Sequence, residues 1–214
     1  MKHKTMDPTI AHAIQAILFS QSNGHTVSSQ GRSRLLGEGA LKYSDGNFTY
    51  GEVTPEGMEQ ILAPAIPREG EVFYDLGSGT GKGVIFASTL FPFKKCVGIE
   101  LLPDLHAVSQ EVRDRFEREI KPAFGNGWDP NVEFRQEDFA DSDFSDADIV
   151  FAHATCFEEG LMATLQRKFE ALKEGARVIL VTKTLSSPIL QWLTTSVCPF
   201  SWGSATVSCY RRGT

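Results

Sequence analysis

The run Val72-Phe73-Tyr74-Asp75-Leu76-Gly77-Ser78-Gly79-Thr80-Gly81-Lys82-Gly83 decides the fold. An apolar strand ends in a carboxylate, turns through a glycine-spaced loop, and enters a helical pattern carrying Val84, Ile85, Ala87, Ser88 and Leu90. That is the opening of a nucleotide-binding α/β unit. Dinucleotide sites use Gly-x-Gly-x-x-Gly, so that a pyrophosphate rests on amides at the helix N-terminus. Here the glycines fall at 77, 79, 81 and 83, out of that register. Asp75 also stands two residues before the first glycine, where its charge would crowd a pyrophosphate. S-adenosylmethionine suits the loop better. It has no phosphate, its ammonium and sulfonium welcome a carboxylate, and its own carboxylate can take the loop amides.

A second acid supports this reading. Lys95-Cys96-Val97-Gly98-Ile99-Glu100 reads as the next strand, ending in a carboxylate 25 positions after Asp75. An acid at that strand tip is placed to accept both ribose hydroxyls, in a dinucleotide fold or a methyltransferase alike. Together the two features suggest a class I S-adenosylmethionine-dependent methyltransferase.

Composition bounds the alternatives. The 214 residues fit one domain with a substantial core, and 41% hydrophobic with 22% charged residues is ordinary for a globular protein. No run of eighteen apolar residues occurs, and the opening Met1-Lys2-His3-Lys4 lacks the apolar stretch of a signal peptide. Cys96, Cys156, Cys198 and Cys209 are scattered without a Cys-x-x-Cys pair. They read as reduced thiols of an intracellular protein, cytoplasmic or nuclear, with neither a metal site nor a disulfide framework. The net charge of −6 shows no basic face for nucleic-acid phosphates and suits a basic partner, such as a lysine-rich protein.

Taken in order, residues 7 to 20 read as a helix, with Pro8 in its first turn and Ile10, Ile14, Ile17 and Leu18 at helical spacing. From Ser20 to Gly39 the abundance of Ser, Gly, Gln and Asn predicts a loop. Thr54 can cap a helix that has Pro55 at its first position, followed by Met58, Ile61 and Leu62. Beyond Glu100, Leu105, Val108, Val112, Phe116 and Ile120 mark a long amphipathic helix. Val132 to Arg135 is a third strand, followed by Gln136-Glu137-Asp138-Phe139. In class I methyltransferases the acid after that strand commonly accepts the adenine amino group, with an aromatic beside the ring. Asp138 and Phe139 are placed for those roles. Ala147 to Ala152 forms a fourth strand with His153 at its C-terminal end, where open α/β sheets bind ligands. Leu161, Leu165, Phe169 and Leu172 give a helix, and Ala176 to Val181 a fifth strand. A short helix near Pro188 to Leu193 is expected before two last strands, about 196–202 and 205–211, joined at Gly203-Ser204. The pattern gives α/β with a Rossmann-like, seven-stranded sheet over residues 47–214, behind a helical extension of residues 1–46; its expected order, 3-2-1-4-5-7-6, is the one known for S-adenosylmethionine methyltransferases.

These motifs resemble the disruptor-of-telomeric-silencing family, the histone-lysine methyltransferases that lack a SET domain. The similarity runs from Phe48 to about Tyr210. Tyr50-Gly51-Glu52 is similar to the family's loop that closes over the cofactor, and Asp75 to Lys82 is similar to its Asp-Leu-Gly-Ser-Gly-x-Gly-Gln segment. The ending Ser201-Trp202…Val207-Ser208-Cys209-Tyr210 is similar to its terminal hairpin. The resemblance implies S-adenosylmethionine as methyl donor and S-adenosylhomocysteine as product. It implies a cofactor site made of Tyr50, Gly51, Glu52, Val53 and Thr54, of Asp75, Gly77, Ser78, Gly79, Gly81 and Lys82, and of Glu100, Asp138, Phe139 and His153. It also implies a narrow channel for the substrate lysine, at positions matched by His153, Phe157, Trp202 and Cys209.

The chain departs from the family at several of these places. His153-Ala154-Thr155-Cys156-Phe157 stands for Asn-Asn-Phe-Ala-Phe, Cys209 for a channel tyrosine, and Val53 for the threonine after Tyr-Gly-Glu. Chromatin-directed members carry basic segments outside the catalytic fold, whereas these residues close on Arg211-Arg212-Gly213-Thr214. The expectation is therefore a protein substrate reached without direct nucleic-acid binding by this domain. The same fold acting on a small molecule or nucleic acid, or holding the cofactor without turnover, are the alternatives.

Overall fold

The computed structural model describes residues 8–19, 24–37, 51–124, 129 and 131–214. Seven strands form one sheet: β1 Val72–Leu76, β2 Lys95–Glu100, β3 Asn131–Gln136, β4 Ile149–Ala152, β5 Arg177–Val181, β6 Leu190–Phe200 and β7 Gly203–Arg212. Their order is β3-β2-β1-β4-β5-β7-β6, as expected, with β7 antiparallel to both β5 and β6. The parallel strands β1, β4 and β5 are buried throughout, the pattern of a sheet covered on both faces.

Strand alternation sorts the core into two layers. Phe73, Cys96, Phe151, Ile179 and Cys209 join one cluster with Ile85, Phe86 and Met58. Tyr74, Leu76, Val150, Leu180 and Tyr210 join another with Leu165 and Phe169. The first layer receives α1 (Pro8–Phe19), α3 (Pro55–Leu62) and α4 (Lys82–Leu90), and the second α6 (Glu159–Glu170). α5 (Pro103–Arg115) follows β2 and continues through a π turn at Phe116–Ile120. α1 is not a separate appendage: Ile14, Leu18 and Phe19 are buried in the first layer, with the Phe19 ring 6.0 Å from Phe86. No helix among the described residues is long and apolar enough to cross a membrane.

Three sequence expectations are corrected. Residues Gly24–Gly37, predicted as loop, form a helix, α2. Among the residues whose burial is described, the buried ones are Gly24, Ser28 and Gly31, at helical spacing but without apolar side chains, a pattern that reads as loop by composition. The helix expected near Pro188–Leu193 is instead the start of β6, where Leu190 pairs with Arg212 and Trp192 with Tyr210. The pairing partner lies some twenty residues on and overrides the local signal. The hairpin turns at Ser201-Trp202, because Phe200 pairs with Gly203, whose φ of 140° only glycine adopts easily.

Candidate active site

The site lies over the C-terminal ends of the parallel strands. Asp75 shares the parity of Phe73, Glu100 that of Cys96, and His153 that of Phe151, so all three point to the α3–α4 layer. Asp75, Glu100 and His153 line one pocket with the glycine turn, Gly51 to Val53, and Asp138 to Phe139. The turn is shaped by backbone sterics. Gly81 has φ of 88°, and a Cβ there would meet the Phe134 ring at 2.4 Å.

Asp75 is 4% exposed, and its carboxylate accepts no hydrogen bond from the described residues. A side chain at Gly83 would strike its Oδ2 at 2.3 Å, so the missing Cβ lets the carboxylate sit against the first turn of α4. Burial, then the neighbouring Glu100 charge, pushes the Asp75 carboxyl up to about 8. Glu100 is held differently. Its Oε2 accepts from Gly79 N and its Oε1 from Leu102 N, each at 2.8 Å. Burial raises its pKa, and these amides pull it back. One acid is thus engaged by the backbone while the other lacks a cation.

His153 closes the opposite end. Its ring meets Phe200 edge-on at 5.3 Å and Trp202 at 5.9 Å, while Phe200 and Trp202 stack at 5.4 Å. A Cβ on Gly51 would lie 3.0 Å from His153 Nε2 and 2.9 Å from Trp202 Nε1, so only glycine fits between the rings. Burial lowers the His153 pKa, which keeps the imidazole neutral at physiological pH. Its Nε2 is buried without a partner. Ser78 Oγ and Ser28 Oγ share that condition, and all three residues line this pocket. Several unmatched polar atoms around one cavity are the signature of a missing polar ligand. A sulfonium amino-acid nucleoside fits: Asp75 would face its ammonium, Glu100 its ribose, and Asp138 with Phe139 its base.

The remaining predicted positions divide. Gly51, Glu52, Val53, Gly77, Ser78, Gly79, Lys82 and Phe157 line the pocket. Lys82 Nζ is bound by Glu52 at 2.5 Å and lies 5.2 Å over the Phe19 ring. Asp138 Oδ1 accepts from Ala140 N at 2.9 Å. Phe157 packs on Phe139 at 5.4 Å, extending the aromatic wall there. Trp202 stands at the rim, 46% exposed. Tyr50 lies outside the described residues.

Four expectations change. Cys209 is not in a channel: it pairs with Ile179 in mid-sheet, 1% exposed, and burial raises its thiol pKa to about 11. Thr54 lies outside the pocket and serves as the α3 cap, its hydroxyl accepting from Gly57 N at 3.0 Å. Gly81 lies outside the pocket lining and acts through its backbone. The amides of Gly77 and Ser78 are already bound to Ile99 O, and that of Gly79 to Glu100, so they cannot serve a cofactor carboxylate. Sequence reasoning missed Leu101, Leu102, Leu105, Phe151 and Leu161, as well as Ser28 from α2. Leu101 and Leu102 follow Glu100 directly and were legible from it, whereas Leu105, Phe151 and Leu161 reach the pocket from α5, β4 and α6; Ser28 carried no signal.

Comparison with known proteins agrees with this geometry. Residues 40–195 match the family model described as histone methylation protein DOT1. The histone-lysine N-methyltransferase, H3 lysine-79 specific, of Drosophila melanogaster is 29% identical over 133 residues, covering 61% of this chain and 7% of that protein. The Caenorhabditis elegans protein of the same description is 30% identical over 145 residues, covering 65% and 15%. The chain thus spans no more than 15% of the length of either relative. TrmN from Thermus thermophilus superposes with a TM-score of 0.59 at 22% identity, over 76% of this chain and 50% of that one, a likeness of fold.

Proposed function

The chain belongs to the DOT1 family of class I S-adenosylmethionine-dependent methyltransferases, and from that premise we propose that it methylates the ε-amine of a lysine in a basic protein. The observation that carries this reading is the aromatic cluster around His153. A neutral imidazole with an unmatched Nε2 sits among Phe200, Trp202 and the bare Gly51 backbone, at the edge of the cofactor pocket.

When bound, the cofactor supplies a methyl group on sulfur that leaves as a thioether. The protein must then align an amine and exclude water. A lysine in solution is protonated, with a pKa of about 10.4. Stripping water from its ammonium among aromatic rings favours the neutral amine, whose lone pair can attack. His153 Nε2 is the hydrogen-bonding group available there to orient that amine. Trp202, exposed at the rim and edge-on to His153, forms the entrance. The net charge of −6 favours approach by a basic protein. Four cysteines free of disulfides favour an intracellular setting.

The test is to incubate the purified chain with methyl-labelled cofactor and separate arms of histones, other basic proteins, RNA and small-molecule extract. Methyl-lysine in a protein arm after hydrolysis is the expected result. Label appearing only in RNA or small molecules would replace lysine with another acceptor on the same fold.

A further inference from the structure

α2 lies outside residues 40–195, which match the family, yet it reaches the cofactor pocket. The helix packs on α5 at Asp104, through a close approach and an ion pair. A Cβ on Gly31 would lie 2.8 Å from Asp104 Oδ2, and Arg34 Nη2 bonds Asp104 Oδ1 at 3.0 Å. Ser28 precedes Gly31 by three residues and so shares its face. It is 1% exposed, its Oγ has no hydrogen-bond partner, and it lines the pocket beside Leu101, Leu102 and Leu105.

We propose that α2 is the outer wall of the nucleoside subsite and that the Ser28 hydroxyl hydrogen-bonds a ribose hydroxyl of the bound cofactor. The inference rests on the methyltransferase reading above. A buried hydroxyl without a partner is unfavourable, and native structures keep few of them except where a ligand completes the set. Gly31, one turn on from Ser28, lies against Asp104, four residues beyond Glu100 at the β2 tip, and the side chains of Leu101 and Leu102 between them are apolar. Each Glu100 oxygen already accepts one amide and retains capacity for a donor. A ribose hydroxyl donating to Glu100 still has lone pairs, one of which the unpartnered Ser28 O–H in the same pocket would fill. Gly24 and Gly31, buried on the same face, let the helix backbone come close enough.

The experiment is calorimetric titration of the full chain and Ser28→Ala with S-adenosylhomocysteine and its 2′-deoxy and 3′-deoxy forms. Alanine keeps helix propensity and removes only the hydroxyl. Ser28→Ala is expected to bind S-adenosylhomocysteine roughly 2- to 10-fold more weakly, the range of one neutral hydrogen bond. One of the two deoxy ligands is expected to lose that difference, and the melting temperature of the ligand-free variant to equal or exceed the parent's. Equal affinity of parent and variant overturns the proposal. Equal weakening of all three ligands, or loss of fold, makes Ser28 a packing residue and overturns it too. A parent protein that binds no S-adenosylhomocysteine sinks the methyltransferase reading and this inference together; a parent that binds, with an indifferent variant, sinks the inference alone.

Discussion

At the scale of single residues, Asp75 and His153 carry opposite electrostatic conditions, and each has a measurable consequence. The Asp75 carboxyl titrates near 8 in the folded protein against an ordinary value of about 4 in the unfolded chain. Below the ordinary value both states are protonated and the contribution to stability is whole. As pH rises, the unfolded carboxyl ionises first, so stability is lost progressively until the folded group ionises as well. Asp75→Asn is therefore expected to gain melting temperature on the parent from pH 5 to pH 8, read by differential scanning calorimetry; a constant gap would contradict the buried, unpaired state. Cofactor binding has the reverse demand, because an ammonium needs the ionised acid. Affinity is expected to rise from pH 6 to 8 with release of a proton, visible as a dependence of binding heat on buffer ionisation enthalpy. For His153, loss of a group acting on the amine is expected to lower turnover by roughly 10²-fold or more in His153→Ala. S-adenosylhomocysteine affinity is expected to hold within a few-fold, and unchanged turnover would remove His153 from the chemistry.

Among elements, the contacts that hold the aromatic end of the site run from the terminal hairpin to the segment before α3 and to α3 itself. Ser201 N donates to Glu52 O at 3.1 Å, and a Cβ on Gly57 would meet Pro199 O at 2.4 Å. A methyl group there cannot be accommodated without moving α3 from β6. Gly57→Ala is expected to cost about 1–3 kcal/mol, the range for overpacking a tight contact. That is a fall of about 2–12 °C in melting temperature for a domain of this size. Turnover is expected to fall further than cofactor affinity, because the displaced hairpin carries Trp202 away from His153. A variant with an unchanged melting temperature would show that the two elements are not rigidly coupled. α3 itself was legible beforehand, since Thr54 and Pro55 state its start and Met58, Ile61 and Leu62 its buried face. α2 and the first residues of β6 were not. The Ser- and Gly-rich composition of α2 reads as loop, and β6 takes its strand state from a partner that local propensity cannot see.

Across the whole molecule, net charge is the property with a measurable consequence. The chain carries 27 acidic against 21 basic residues, and on the proposed reading that excess would draw in a basic substrate before contact forms. Raising salt from about 50 to 300 mM shortens the screening length from about 14 to about 6 Å. For a lysine-rich substrate kcat/KM is expected to fall over that range while kcat stays level, measured by initial rates at several salt concentrations. A salt-independent kcat/KM would argue for recognition by shape alone.

The sequence by itself determined the alternation of strands and helices, the glycine turn with its two acids, and the position of His153 at a strand end. Those features follow from local pattern: strand alternation, glycine spacing and the chain distance between successive strand tips. The tertiary structure alone decided how the polar groups are matched. It bound Gly77, Ser78 and Gly79 amides inside the protein, left Asp75 without a cation, withdrew Cys209 into the core and brought Ser28 to the pocket. Hydrogen-bond satisfaction depends on which atoms meet in space across remote segments, and no one-dimensional spacing encodes that.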